Sequence, residues 1–316
     1  MVRYVLRRLA VTAALLAVLS FVVFVGVDIL PGDPVTARLG TNATPAQIAD
    51  ARHRAGLDRP VLDRYAEWLS GLARGDFGAS LITGRPVRDM LADRAANSVL
   101  LAGLTVLLVV PLSLGLGLLA GLRRDGRLDR AVTISALLLV ALPEYIVASV
   151  LALVLAVGLG WLPAISLVPA GDSPLSHPAV LVLPVLSLLL LSLAYAVRVI
   201  RSGTAAAMQA PHVDAARLNG MGGWRLIRRA VLPAVLPGAI QIWCVLAVAL
   251  VGSAVLVERV YGYPGLGETV VFAVQSGDLL VAQALAMLLG AAMLLALLVA
   301  DLGVLLLTPR LRTGMR

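Results

Sequence analysis

Residues 213–237 read Val-Asp-Ala-Ala-Arg-Leu-Asn-Gly-Met-Gly-Gly-Trp-Arg-Leu-Ile-Arg-Arg-Ala-Val-Leu-Pro-Ala-Val-Leu-Pro. This basic segment, punctuated by glycine and proline, lies between two long uncharged runs, 179–197 and 233–257. Ala215, Ala216 and Leu218 favour a helix, and Gly220, Gly222 and Gly223 end it. Trp224 to Val231 then predicts a second short helix, with Pro233 opening the next apolar run as a first-turn proline. The expected shape is a helix–glycine–helix elbow between membrane spans, presenting a small rigid surface to water. A plain basic loop that anchors two spans is the alternative reading of the same residues.

The flanking runs set the fold class. The chain has 316 residues, of which 60% are hydrophobic and only 14% charged, with a mean hydropathy of +0.95. A soluble chain of this length must cover a large polar surface, so this composition indicates a membrane protein. Uncharged or nearly uncharged runs occupy 9–27, 97–122, 131–163, 179–197, 233–257 and 279–307. The third is interrupted by Pro143-Glu144 and the last by Asp301. A spanning helix needs ~20 apolar residues to cross ~30 Å of hydrocarbon. Backbone groups cannot stay unpaired in lipid, so runs of this length are helices. The expectation is an all-α membrane protein with six transmembrane helices. The basic start (Arg3, Arg7, Arg8) resembles a secretory leader. However, the run after it is long and Leu30-Pro31-Gly32-Asp33-Pro34 offers no small-residue cleavage site, so a retained span is expected.

Arginine placement orients the spans. All 26 basic residues are arginines, and sixteen fall in segments that an N-in, C-in topology places in the cytoplasm. These include Arg123, Arg124, Arg127 and Arg130 in one loop, and Arg198, Arg201, Arg217, Arg225, Arg228 and Arg229 around the elbow. The two short outer loops hold only Arg259. The first outer loop carries nine arginines and eight acids, and long loops are largely exempt from the positive-inside rule. Arginines dispersed at span ends explain the pI near 10.7 without nucleic acid. The sequence divides into an anchor span (1–30), an extracytoplasmic loop with short helices (31–96), and a five-span core (97–316) containing the coupling loop 198–232. Within the outer loop, Thr44 and Gln47 form a capping pattern for a helix from Pro45 to Gly56. Leu62, Tyr65, Ala66, Leu69 and Leu72 recur at helical spacing. Pro86, Val87, Met90 and Leu91 form a third short stripe. These helices are expected on the outer membrane face, either meeting a binding protein, closing the pathway, or packing on the chain's own spans.

The absence of lysine excludes a GxxxxGK[ST] phosphate loop, so ATP hydrolysis is expected on another chain. The single Cys244 gives no disulfide framework, and His53, His177 and His212 have no ligand spacing. There is no HExxH motif, which argues against a membrane-embedded enzyme of that type. A self-sufficient secondary transporter predicts inverted repeats and midplane ionisable groups. No such halves are visible, and Glu144 is the one candidate near mid-span.

The order Asp214-Ala215-Ala216, three residues, Gly220, nine residues, Ala230-Val231-Leu232-Pro233 resembles the EAA loop of permease subunits of binding-protein-dependent ABC importers. That pattern is Glu-Ala-Ala, three residues, Gly, nine residues, Ile, any residue, Leu-Pro. Asp214 keeps the acid, whereas Ala230 removes apolar bulk where the family has Ile. Other stretches are similar to the first permease subunit of dipeptide, oligopeptide and nickel importers. They are Arg3-Tyr4-Val5-Leu6-Arg7-Arg8-Leu9, Leu30-Pro31-Gly32-Asp33-Pro34, Gly75-Asp76-Phe77-Gly78-Ala79-Ser80, Gly160-Trp161-Leu162-Pro163 and Glu258 through Gly267. Thr308 departs from the family's Asp, and Leu279-Leu280 from its Tyr-Pro. The resemblance implies a multi-pass protein of the bacterial cell membrane that translocates a small substrate by alternating access. Di- or oligopeptides are the expected cargo, with nickel or glutathione as alternatives within the family. It implies a second homologous permease, two ATPase subunits carrying ATP and magnesium, and an extracytoplasmic substrate-binding protein as partners. The ATPase-coupling residues it implies are Asp214, Ala215, Ala216, Arg217, Gly220, Leu232 and Pro233, with no catalytic, cofactor or metal site in this chain.

Intramembrane carboxylates are costly and point to function by default. Glu144 is a candidate for the pathway, where it would meet a substrate amine. The alternatives are an arginine partner or a place nearer the interface. Asp301 is expected to be structural, paired with Arg310 or a neighbouring arginine. Gly115, Gly117, Ala120 and Gly121 are expected to let helices approach closely. The stretch from Tyr261 to Gly267 predicts a turn followed by a short re-entrant or surface helix.

Overall fold

A computed structural model describes residues 2–29, 44–54, 58–80, 82–169 and 171–307. Among them every regular element is helical, and the only strand-like contact is an isolated bridge between Ala79 and Pro86. The helices are α1 (Val2–Ile29), α2 (Pro45–Arg54), α3 (Val61–Ala73), α4 (Val87–Leu122) and α5 (Arg127–Ala141). They continue with α6 (Glu144–Gly158), α7 (Pro178–Met208), α8 (Pro211–Leu218), α9 (Gly223–Tyr261), α10 (Leu266–Ser276) and α11 (Leu279–Leu307). Five of these, α1, α4, α7, α9 and α11, are long and apolar enough to cross a membrane.

The sixth crossing is a broken one. Helices α5 and α6 meet at a bend of 108° around Leu142-Pro143. Pro143 has no N–H and disfavours helix in the residue before it, so the ladder stops there and restarts at Glu144. Asp129, near the start of α5, bonds Arg201 near the end of α7. Ala148 in α6 accepts a bond from Tyr261 at the end of α9. The bent pair therefore passes from one end of the bundle to the other. With it, six crossings leave both ends of the described chain on the side of the elbow, hereafter the elbow end.

Two expectations drawn as separate pieces prove to be continuous helices. The stripe at 86–91 and the run from 97 form the single 36-residue α4. Arg88, Asp89, Asp93 and Arg94 masked this in the sequence, but no helix breaker separates them from the apolar run. Similarly, the second arm of the elbow runs directly into the next span as the 39-residue α9, with Pro233 in the first turn of its regular α-helical part as expected. Pro233 is accommodated because the preceding turn, Ile227–Val231, widens, and the Leu232 N–H reaches back five residues to the Ile227 carbonyl.

In the outer loop, the Thr44 N–H donates to Gln47 Oε1 at 2.9 Å and the Gln47 N–H to Thr44 Oγ1 at 3.3 Å. This is the reciprocal capping pattern predicted for α2. The helix ends at Arg54, and Gly56 lies outside the described residues. Helix α3 covers the predicted second stripe, and its Tyr65 and Trp68 pack against Phe21 and Phe24 of α1.

The broadest interface joins α4 to α7 and depends on glycine. A Cβ on Gly117 would lie 2.6 Å from Ile200 Cγ2, and one on Gly121 would lie 2.5 Å from Thr204 Cβ. Ala120 between them is fully buried, whereas a Cβ on Gly115 would meet open space. Apolar helices gain nothing from leaving lipid for one another, so close backbone approach through small residues supplies the attraction. A second close approach sets α1 against α11, where a Cβ on Gly290 would collide with Leu19. Replacing Gly121 with Val is expected to lower stability by about 1–3 kcal/mol through overpacking. Gly115→Ala should leave the thermal unfolding midpoint in detergent unchanged, so that comparing the two variants isolates the contact.

Candidate functional site

The elbow is built on a buried ledge. Val213 and Ala216 of α8 pack with Ile200 and Ala207 of α7 and with Leu226, Val231 and Val235 of α9. Ala230 packs on the edge of the same cluster. Position 213 is followed at helical spacing by 216, so one face of α8 is pinned while the other faces out. That outer face carries Asp214, Ala215 and Arg217, all exposed. Leu218 is 89% exposed and Trp224 68% exposed, which are unusual values for such large apolar side chains in a rigid turn.

Gly220 closes the helix. Its φ is +81°, its N–H donates to the Arg217 carbonyl at 2.9 Å, and the Met221 N–H donates to the Ala216 carbonyl at 3.0 Å. These are the paired bonds of a Schellman cap, which satisfies helix-end carbonyls and demands a left-handed residue. Nothing lies within 4 Å of a Cβ at Gly220, so backbone conformation alone requires glycine there. Asp214 and Arg217 form a 3.3 Å pair one turn apart, and Arg217 Nη2 also lies 3.8 Å from Met208 Sδ. Asp214, Ala215, Ala216, Arg217 and Gly220 are thus gathered on one short element. Leu232, half-buried, and Pro233, exposed, belong to α9 beyond the widened turn and lie outside that element.

The candidate acids separate clearly. Glu144 is the first residue of α6, where the helix dipole favours a negative charge. Its Oε1 accepts a hydrogen bond from the Ser253 hydroxyl of α9 at 2.7 Å. It is half-buried at the bend, bonded to a serine and not to an arginine. Asp301 pairs at 2.8 Å with Arg8 of α1. Arg310 lies outside the described residues, and the structural pairing expected of Asp301 is made by Arg8 instead.

Two acids escaped the sequence reading. Asp129, 2% exposed, takes a two-pronged bond from Arg201, with Nε–Oδ1 at 2.7 Å and Nη2–Oδ2 at 2.5 Å. The Asp125 N–H adds a third bond at 3.0 Å. In the sequence Arg201 counted only among the arginines around the elbow, and nothing in the 72-residue separation pairs it with Asp129. Glu258, 1% exposed, accepts from the Ser98 hydroxyl and from the Gly267 N–H, both at 2.6 Å. Ser98 Oγ in turn accepts from the Leu266 N–H at 2.9 Å. Glu258 and Ser98 therefore cap the start of α10 and tie it to α4 and α9 at the end of the bundle opposite the elbow. Asn97 donates to the Pro264 carbonyl and Tyr263 to that of Asn97. Burial raises the Tyr263 pKa, which keeps its hydroxyl protonated as a donor. The expected turn and short helix after Tyr261 are present as Gly262–Gly265 and α10, held from within by an acid four residues before the turn.

Residues 113–313 match the family of inner membrane components of binding-protein-dependent transport systems, and residues 1–102 match the N-terminal family of such membrane components. The chain belongs to this permease family. It is 31% identical over 323 residues to the metal-staphylopine import system permease of Staphylococcus aureus, covering 100% of both chains. It is 29% identical over 290 residues to a protein of Brucella abortus named as a peptide transport system permease, covering 92% of each. It is also 28% identical to a protein of Sinorhizobium fredii named as a peptide ABC transporter permease, over 98% of this chain and 99% of the other. The permease is therefore a multi-pass inner membrane protein of an ABC importer, a class that works with ATPase and substrate-binding subunits.

Asp129 and Arg201 are the permease's most completely paired charges among the described residues. Removing Asp129 takes both bonds from Arg201, whose side chain stays 27% exposed and can turn to solvent, at a cost of about 1.5–3 kcal/mol. Asp129→Ala should therefore lower the unfolding midpoint sharply. Combining it with Arg201→Met should restore most of the loss, as measured by a double-mutant cycle on purified protein.

Proposed function

We propose that the permease forms a translocation pathway with a second, homologous permease and carries a peptide across the membrane by alternating access. ATP and magnesium are held by two ATPase partners, and this chain supplies no catalytic group or cofactor. The observation that carries the coupling reading is the elbow. A short helix is pinned from behind by Val213 and Ala216 and closed by Gly220, and it offers Asp214, Ala215, Arg217, Leu218 and Trp224 to a partner. A rigid knob with an apolar tip and a charged flank suits insertion into a groove of the ATPase. Because α9 continues from the elbow without a break, a push there displaces a whole span rather than a loop.

The peptide assignment rests on the names of the Brucella and Sinorhizobium relatives. The Staphylococcus relative makes a metal complex the alternative cargo. A half-buried carboxylate at a break in the helix, Glu144, supports the peptide reading, since such an acid pairs with a terminal ammonium. The extracytoplasmic binding protein delivers the peptide at the end of the bundle opposite the elbow.

Valine at Gly220 would have to hold a left-handed conformation costing roughly 1–2 kcal/mol. In proteoliposomes containing all subunits, Gly220→Val is expected to lower ATP-driven uptake roughly 5-fold or more while the subunits still co-purify. Unchanged uptake and ATPase stimulation in this variant would reject the coupling role. Glu144→Gln should weaken uptake of a peptide with a free amino terminus and spare its N-acetylated form. Equal loss for both forms would remove Glu144 from substrate binding.

A further inference from the structure

Helix α3 carries an apolar face wider than its contact with the protein can use. At about 100° per residue, Tyr65, Trp68 and Leu72 form one stripe, and Leu62, Ala66, Leu69 and Ala73 form the adjacent one. The first stripe is occupied. Tyr65 lies 5.5 Å from the rings of both Phe21 and Phe24, and Trp68 lies 5.6 Å from Phe24. Every residue of the second stripe is exposed, with Leu62 at 69% and Leu69 at 36%. Asp63, Glu67 and Ser70 line the opposite side, and Glu67 holds Arg59 at 2.6 Å.

The depth of the contact identifies what covers the second stripe. The Tyr65 hydroxyl is 2.8 Å from Ser20 Oγ. Ser20 lies within the apolar span Val5–Val27, and at 1.5 Å per residue it sits ~10 Å inside the end of that span. A water-soluble protein does not reach that level without entering hydrocarbon. The α1 surface around the contact is itself bare and apolar, with Val18 61% and Val22 58% exposed. The exposed stripe of α3 is thus continuous with a surface that lipid already wets. Amphipathic in-plane helices sink their apolar face ~5–10 Å into the headgroup–acyl boundary, which matches this depth.

We propose that α3 is an in-plane membrane helix of the leaflet opposite the elbow, with Leu62, Ala66, Leu69 and Ala73 inserted among the acyl chains. Tyr65, hydrogen-bonded to Ser20, fixes its depth. The polar side of Asp63, Glu67 and Ser70 then faces water and is the side open to an incoming binding protein. The outer loop is therefore moored in lipid at a set height beside the first span, and does not float above the membrane.

The test uses the full transporter in nanodiscs of phosphatidylcholine and phosphatidylglycerol. Because Cys244 is the only cysteine, a Cys244→Ser background permits single nitroxide labels at Leu62→Cys, Leu69→Cys, Asp63→Cys and Glu67→Cys. Positions 62 and 69 are expected to relax faster with oxygen than with an aqueous nickel chelate, and positions 63 and 67 the reverse. The contrast should persist when the binding protein is added. Equal nickel access at all four positions, or shielding of 62 and 69 only after the binding protein is added, would overturn the proposal, the latter in favour of a protein-docking face. The unsubstituted chain provides an independent readout. A lipid-borne diazirine should label the tryptic peptide 65–74 on Ala66, Leu69 or Ala73, and absence of adducts there counts equally against insertion.

Discussion

Hydrocarbon does not solvate an unpaired charge or an open backbone bond, and the folded arrangement of this permease follows from that constraint. Four acids embedded in or beside the spans are each met by a specific partner. Asp129 takes the fork of Arg201, Asp301 takes Arg8, Glu144 takes Ser253, and Glu258 takes Ser98 with the Gly267 amide. These contacts join elements far apart in sequence. They therefore set which helices are neighbours, while the glycine contacts at 117, 121 and 290 set how closely those neighbours approach. Burying such pairs gives little net stability, but breaking one is costly. They therefore act more as specifiers of one packing than as a source of stability.

The elements themselves were legible from one-dimensional signals. Apolar length marked the spans, Thr44 and Gln47 marked the start of α2, and Gly220 marked the end of α8. These features are local, so a sequence displays them directly. The pairings were not legible. Asp129 and Arg201 are 72 positions apart, and neither carries a motif that announces the other. Asp301 was expected to pair with Arg310 or a neighbouring arginine, and the arginine it meets, Arg8 of α1, lies at the opposite end of the chain. The continuity of α4 was hidden for a different reason. Charged residues in its first turns resemble a loop by composition, yet composition does not break a helix in the absence of glycine or proline. Likewise the continuity across residues 227–231 was hidden because a widened turn, which has no sequence signature, joins the elbow to the helix that Pro233 opens.

These two continuities alter how motion passes through the molecule. At 1.5 Å per residue, the 39 residues of α9 extend ~58 Å, about twice the hydrocarbon thickness. One rod therefore connects the elbow to Glu258 at the opposite end, where it is fastened to α4 and α10. Helix α4 is equally long-reaching, and it touches α7 near the elbow through Gly121 and α10 at the other end through Ser98. Interfaces packed this closely are bistable rather than softly deformable. A displacement applied at the elbow is carried along both rods, each of which holds an internal proline, Pro111 in α4 and Pro237 in α9.

The place where it can be absorbed is the bend between α5 and α6. Here the helix stops and restarts at Pro143, and its two halves are fastened to different helices. Asp129 holds the first half to α7 near the elbow, while Ala148 receives Tyr261 of α9 at the other end. A relative shift of α9 against α7 must therefore open or close the angle at Leu142-Pro143. Glu144 sits on that hinge with its carboxylate held by Ser253 of the moving rod. In the proposed motion, the displacement that changes this angle would release the acid from serine to meet a cationic group. An acid placed at the sharpest bend of the bundle is where a proposed elbow-driven motion and a proposed substrate contact meet.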